Sequence, residues 1–273
     1  MPAFVTHMLL GEEIYRRLGE NSPSRGLIDA ESAAFSWGLI GPDVLFFRRS
    51  FLRRSPLPAY GGAMHTGHTA ELFSEMIQYV LSRAEACDGP LLAAYLAGFF
   101  GHYRLDSTAH PYIYSTQRRD EGKSADRSCG GAHHRIEADI DSALFWRQTG
   151  CPITTLRPKR AFPISREQTD SIGRMLSVVL ARAFGLQAAP QELSAAFFDV
   201  LSLESLLLDP TDRLVRTLAG GIDRLRRRKS PLSAHVVRRM VEYDVLNLGG
   251  QPWDDAARRE IRCESFVELF SEA

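Results

Sequence analysis

No two of the four cysteines, Cys87, Cys129, Cys151 and Cys263, form a C-x-x-C pair, which excludes a zinc knuckle and offers no disulfide framework. A reducing compartment fits that usage. Charge of one sign is also missing: lysine plus arginine equals aspartate plus glutamate at 33 each, so no global field draws the chain to nucleic acid or to an anionic membrane. The one strong basic cluster, "RLRRRK" at 224–229, reads as a solvated helix end. No apolar run approaches the roughly 20 residues needed to span a bilayer. The opening "MPAFVTHMLLGEEIYRR" lacks the basic, apolar and small-residue regions of a secretory signal and turns amphipathic at once. The expected location is cytoplasmic. Alternating strand patterns are absent as well, as are repeats and low-complexity tails.

What the chain does have is helical periodicity. Apolar residues recur at three- and four-residue intervals in "AELFSEMIQYVLSRAEA" (70–86), "PLLAAYLAGFFGHYRLDSTAH" (90–110), "HHRIEADIDSALFWRQ" (133–148), "REQTDSIGRMLSVVLARAF" (166–184), "QELSAAFFDVLSLESLLL" (191–208) and "PTDRLVRTLAGGIDRLRRR" (210–228). Proline and glycine punctuate the joins, at Pro23, Pro42, Pro56, Pro58, Gly89, Pro111, Pro152 and Gly249 among others. Pro111 is expected to stop or kink the helix that precedes it. The polar stretch "STQRRDEGKSADRSCGG" (115–131) is expected to be a mobile loop between two helices. These patterns predict one all-α, multi-helix domain over residues 1–273, with no internal boundary.

The histidines are unevenly spread. Seven of the eight (His7, His65, His68, His102, His110, His133, His134) fall in the first 137 residues, and only His235 lies beyond. In "GHYRLDSTAHP", His102, Asp106 and His110 are four residues apart, so on a helix each lies about 40° in azimuth and about 6 Å along the axis from the next. His133 and Glu137 repeat that spacing. Such a pair on its own makes a surface salt link, whereas two pairs in a chain this sparing of histidine predict a metal site, since imidazole and carboxylate are the donors zinc takes outside thiolate sites.

Five segments in order, "THMLLGEE", "AFSWGLIGPDVLFF", "MHTGHTAELF", "AYLAGFFGHYRLDSTAHPYI" and "HHRIEADIDSALF", resemble the zinc-dependent phospholipase C family, which is distantly related to single-strand nucleases of the P1 type. The likeness spans about residues 4–150, and the closing "ESFVELFSEA" resembles the last helix of the family's cytosolic bacterial members; residues 160–273 then form a helical extension. The resemblance implies an all-helical domain holding up to three zinc ions in a cleft that takes a phosphodiester. Matched position by position, it implies that His65, His102 and Asp106 hold one zinc with Asp43 beside it as ligand or general base. His110, His133 and Glu137 hold the second. Asp106 bridges to a third that His7 also binds. His68 and His134 match no ligand position, so each is expected to support a ligand or to lie on the surface. Trp37, Phe46, Phe47 and Tyr60 lie near the motifs, as cleft walls or as core.

The expected activity is hydrolysis of a phosphodiester, such as a phospholipid, by water activated on zinc, with two ions held and the third in question. The secreted members use the amine of a processed N-terminal tryptophan, whereas this chain begins Met-Pro. A P1-like nuclease and a protein that binds zinc without catalysis are the alternatives. The neutral charge balance argues against nucleic acid as a partner.

Overall fold

A computed structural model describes residues 4–46, 48, 55–123, 131–208, 214–226 and 232–273. Phe47, Cys129 and residues 227–229 of the basic run lie outside these, as do the side chains of 224–226. The helices are α1 (Phe4–Arg17), α2 (Pro23–Ala30), α3 (Ser32–Ile40), α4 (Leu57–Thr66), α5 (Thr69–Ser82), α6 (Gly89–Lys123), α7 (Ala132–Thr149), α8 (Pro158–Ala161), α9 (Arg166–Phe184), α10 (Pro190–Leu207), α11 (Leu214–Arg226) and α12 (Phe266–Glu272). The fold is all-α. One departure is a hairpin of two antiparallel strands, β1 (Trp253–Asp255) and β2 (Glu260–Arg262), with Trp253 opposite Arg262. Three residues per strand are too few for an alternating pattern to register in sequence. Among the described residues, no helix is long and apolar enough to cross a membrane.

The chain divides into two compact units. The first joins residues 10–103 to 158–204, and the second joins 1–9, 104–157 and 205–273. Helix α6 belongs to both, passing from one to the other between Tyr103 and Arg104.

In the first unit, α3 and α6 touch backbone to backbone. A Cβ at Gly38 would overlap the Tyr95 carbonyl oxygen, and one at Gly98 would overlap that of Phe35, so both helices need glycine where they cross. Trp37, on the next position of α3, is wholly buried and packs edge-on against Phe197 at 5.1 Å and Phe162 at 5.8 Å. It is core, and so not a cleft wall. Burying such rings is worth about 1.5–3 kcal/mol each and ties α10 and the residue after α8 to α3. The capping box of α9, in which Ser165 and Gln168 bond reciprocally, is legible in "SREQ".

In the second unit, α6 runs through Pro111 to Lys123, so the expected break does not occur and residues 115–123 of the predicted loop are helical. Residues 124–130 of that loop lie outside the described residues. Proline costs a helix one hydrogen bond and about 3 kcal/mol. Burial of Leu105, Ala109, Tyr112 and Ile113 around it, with the Tyr112 hydroxyl donating to the Val245 carbonyl at 2.7 Å, offsets that loss. The polar turns beyond stay helical because they lean on the hairpin segment. There Arg118 and Arg119 donate to the carbonyls of Asp254 and Pro252 at 3.0 and 3.2 Å.

Candidate metal centre

Asp43, His65 and His102 converge in the first unit. The glycine crossing of α3 and α6 sets His102 Nδ1 3.0 Å from the Leu39 carbonyl oxygen. Gly41 then turns the chain with φ +57° and ψ −137°, and a Cβ there would lie 2.6 Å from His102 Cγ, so only glycine can reverse the chain against that ring. Pro42 follows and opens a short 3-10 turn, Gly41–Leu45, that carries Asp43 inward to 1 % exposure. His65, near the end of α4, donates from Nδ1 to the Gly61 carbonyl at 2.8 Å. Met64 beside it accepts a hydrogen bond from the Tyr103 hydroxyl.

A carbonyl only accepts, so both imidazoles donate from Nδ1 and turn Nε2 inward, the nitrogen that can offer a metal its lone pair. Those two Nε2 atoms are 3.3 Å apart, and Asp43 Oδ1 is 3.1 Å from that of His65 without hydrogen-bond geometry. Three electron-pair donors face one another at contact distance. Tetrahedral zinc with ligands near 2.0–2.1 Å spaces its donors at roughly 3.3 Å, so the set fits the ion. A carbonyl fixing the second nitrogen of each imidazole is also the usual support for a metal-bound histidine.

The second unit repeats the pattern. His133, in the first turn of α7, donates from Nδ1 to Gln117 Oε1 at 3.2 Å and brings Nε2 to 2.8 Å from Glu137 Oε1. His110 donates from Nδ1 to the Asp106 carbonyl at 3.0 Å and places Nε2 3.7 Å from the same Glu137 oxygen. The two rings are parallel with centroids 5.7 Å apart. His7 Nε2 lies 3.4 Å from Asp106 Oδ1, and that oxygen is 3.6 Å from His110 Nδ1. Within this unit, then, Asp106 sits between His7 and His110.

The charges of the metal-free protein follow from this packing. Burial would lower the His110 imidazole, but Asp106 and Glu137 carry it up to about 9. Burial would raise the Glu137 carboxyl, yet the hydrogen bonds it takes from His110, His133 and His134 help hold it well below the usual carboxylate range. Without metal, the charged His110 imidazole thus faces both carboxylates.

Further side chains surround these donors, His235 and Tyr114 among them without a signal read from the sequence. His134, which matches no ligand position, reaches Glu137 Oε2 with Nδ1 at 3.4 Å and stacks on His235 at 4.2 Å. His235 is thereby joined to the cluster from far along the chain, and burial takes its imidazole down to about 3. Tyr114, half exposed, stacks on both His110 and His133 at 5.4 and 5.3 Å; its i, i+4 spacing from His110 is the signal that could have found it. His68 is a surface residue with a left-handed backbone just before α5. Phe46 lies 5.5 Å from the His65 ring, while Tyr60 is tied by its hydroxyl to the Gln187 carbonyl at 3.2 Å.

Neither a curated protein nor a solved structure matches the chain. A family model does: the one described as zinc dependent phospholipase C matches residues 6–185, more than half of the 273 residues, and the chain therefore belongs to the zinc-dependent phospholipase C family.

Proposed function

We propose that the protein is a zinc-dependent phosphodiester hydrolase that cleaves a phospholipid or related phosphodiester on the glycerol side. The observation that carries this reading is the convergence of Asp43, His65 and His102, each imidazole turned by a carbonyl so that its Nε2 meets the other donors. Asp43, His65 and His102 hold one ion, and His110, His133 and Glu137 hold another. Asp106 and His7 supply donors to a third position.

Bound zinc neutralises the phosphoryl oxygens, whose charge otherwise repels the nucleophile, and lowers the pKa of a water toward about 7. The chain's own residues do the rest. Asp43, fixed by the 3-10 turn after Gly41 and not on a helix face, has a carboxylate to orient that water and accept its proton. The Leu39 and Gly61 carbonyls keep His102 and His65 in one tautomer through the reaction. Glu137 is held by His134 through its second oxygen, which leaves the first directed at His110 and His133. Tyr114, exposed beside those two imidazoles, offers an aromatic face to the substrate. The three exposed thiols, Cys87, Cys151 and Cys263, support a reducing, cytoplasmic setting.

The test is metal analysis of protein purified without chelator, followed by a screen of lecithin, other phosphodiesters and single-stranded DNA before and after chelation. Two tightly held zincs and chelator-sensitive lecithin hydrolysis are expected. A zinc content of one or none, or hydrolysis of DNA in place of lecithin, would overturn the assignment.

A further inference from the structure

Helix α7 carries three buried acids, Glu137, Asp139 and Asp141, at 1 %, 1 % and 4 % exposure. Only the first faces the histidine group. Asp139, about 200° round the helix from Glu137, accepts from the Tyr243 hydroxyl at 2.8 Å and pairs with Arg238 at 3.3 Å, which ties down the segment after residue 236. Asp141 returns to the face of Glu137, one turn on, and is spent on α1. Its Oδ1 accepts from the Thr6 backbone N–H at 2.6 Å and the Thr6 hydroxyl at 2.7 Å, and its Oδ2 accepts from the Val5 N–H at 3.2 Å.

Those N–H groups belong to the first turn of α1, whose donors have no partner inside the helix. A helix start ordinarily finds its cap in the residue before it; here the cap comes from 135 positions away along the chain. A carboxylate suits the task on two counts. Both its oxygens accept, and its charge, which burial confines to pH above about 7, complements the positive end of the helix dipole. The next residue is His7, 1 % exposed, with Nε2 3.4 Å from Asp106 Oδ1. Glu137 and the anchor of His7 therefore sit on one face of one helix.

We propose that Asp141 is a positioning residue for the metal centre: by capping α1 it fixes His7 against Asp106 and so sets the affinity of the ion those two residues hold. The proposal rests on the reading of His7 as a ligand. The cap also gives the start of α1 a hold from inside the protein.

Four full-length proteins test it: wild type, Asp141→Asn, His7→Ala and the double variant, each titrated with zinc against a chromophoric chelator and melted with and without zinc. Asparagine keeps the shape and one acceptor, but turns an NH2 toward either Val5 or Thr6. Loss of such a supporting contact lowers metal affinity about 10–100-fold. The expected result is that His7→Ala and Asp141→Asn each weaken the same weakest-bound ion and spare the others. Asp141→Asn should then add nothing in the His7→Ala background. Should Asp141→Asn not fold, Thr6→Val, which deletes only the hydroxyl bond, is expected to move that same affinity by a smaller factor. If His7→Ala leaves every zinc affinity unchanged, His7 is no ligand and the proposal falls with that reading. If His7→Ala weakens an ion while Asp141→Asn lowers only the melting temperature, the ligand reading survives and the positioning role alone is overturned.

Discussion

Gly41→Ala tests, with one methyl group, the link between backbone conformation and metal binding. Two costs can be worked from the structure. The backbone there has φ +57° and ψ −137°, a conformation that an L side chain occupies at about 1–3 kcal/mol. The added Cβ would also stand 2.6 Å from His102 Cγ and 2.8 Å from Cδ2, well inside contact distance, and relieving an overpacked core costs about 1–3 kcal/mol more. The ring is the softer partner, but it is held by its hydrogen bond to Leu39 and lies opposite His65. Moving it by the several tenths of an ångström required either breaks that bond or turns Nε2 away from the donor group. Stability should therefore fall by about 2–6 kcal/mol in the metal-free protein, a drop of roughly 4–24 °C in Tm at about 2–4 °C per kcal/mol for a chain of this size. Zinc affinity at this group should fall about 10–100-fold, as it does when a supporting contact of a ligand is lost. Calorimetric melting of the metal-free form and chelator competition read the two effects separately. A variant that melts with wild type and binds zinc as tightly would refute the claim that this turn is built around the His102 ring.

Two other expectations follow from the same geometry. Asp43→Asn should keep most of the zinc yet lose about 10²–10⁴-fold in kcat on whichever phosphodiester the screen identifies, because an amide can still lie beside the ion but cannot take a proton; retention of both metal and near-full rate removes Asp43 from the chemistry. Zinc uptake by the His110–His133–Glu137 group should release a proton: the metal-free His110 imidazole, at about 9, is charged throughout the neutral range, so affinity is expected to fall about tenfold for each pH unit below 9. Titration calorimetry in buffers of different ionisation enthalpy measures that proton, and a pH-independent affinity between 7 and 9 would contradict the charge state assigned to His110.

The sequence carried the donors better than their grouping. Spacing alone places His102, Asp106 and His110 along one face of α6 and pairs His133 with Glu137, because i and i+4 positions of a helix are neighbours whatever surrounds them. Which of them meet donors from elsewhere in the chain is a tertiary matter. The resemblance gave Asp106 to the group of His65 and His102 and also as a bridge to His7, and inside its own unit it stands between His7 and His110. His235 beside His134 was out of reach of any local pattern. The helical fold was legible in the same uneven way. Amphipathic helices announced themselves, while the polar end of α6 read as a loop because a helix steadied by arginine contacts to a distant hairpin leaves no apolar stripe.

The glycines show where the missing information lay. "FSWGLIGPD" reads as a helix followed by a turn, and nothing in it says that Gly38 and Gly41 serve different ends. Gly38 is bare so that α6 can approach, and Gly41 is bare so that the chain can reverse beside the histidine which that approach delivers. Each position makes sense only against a residue some sixty places away: Gly38 against Gly98, Gly41 against His102. The site is thus specified twice over, once by the donors that a reader of spacing can find, and once by absent side chains that let those donors meet.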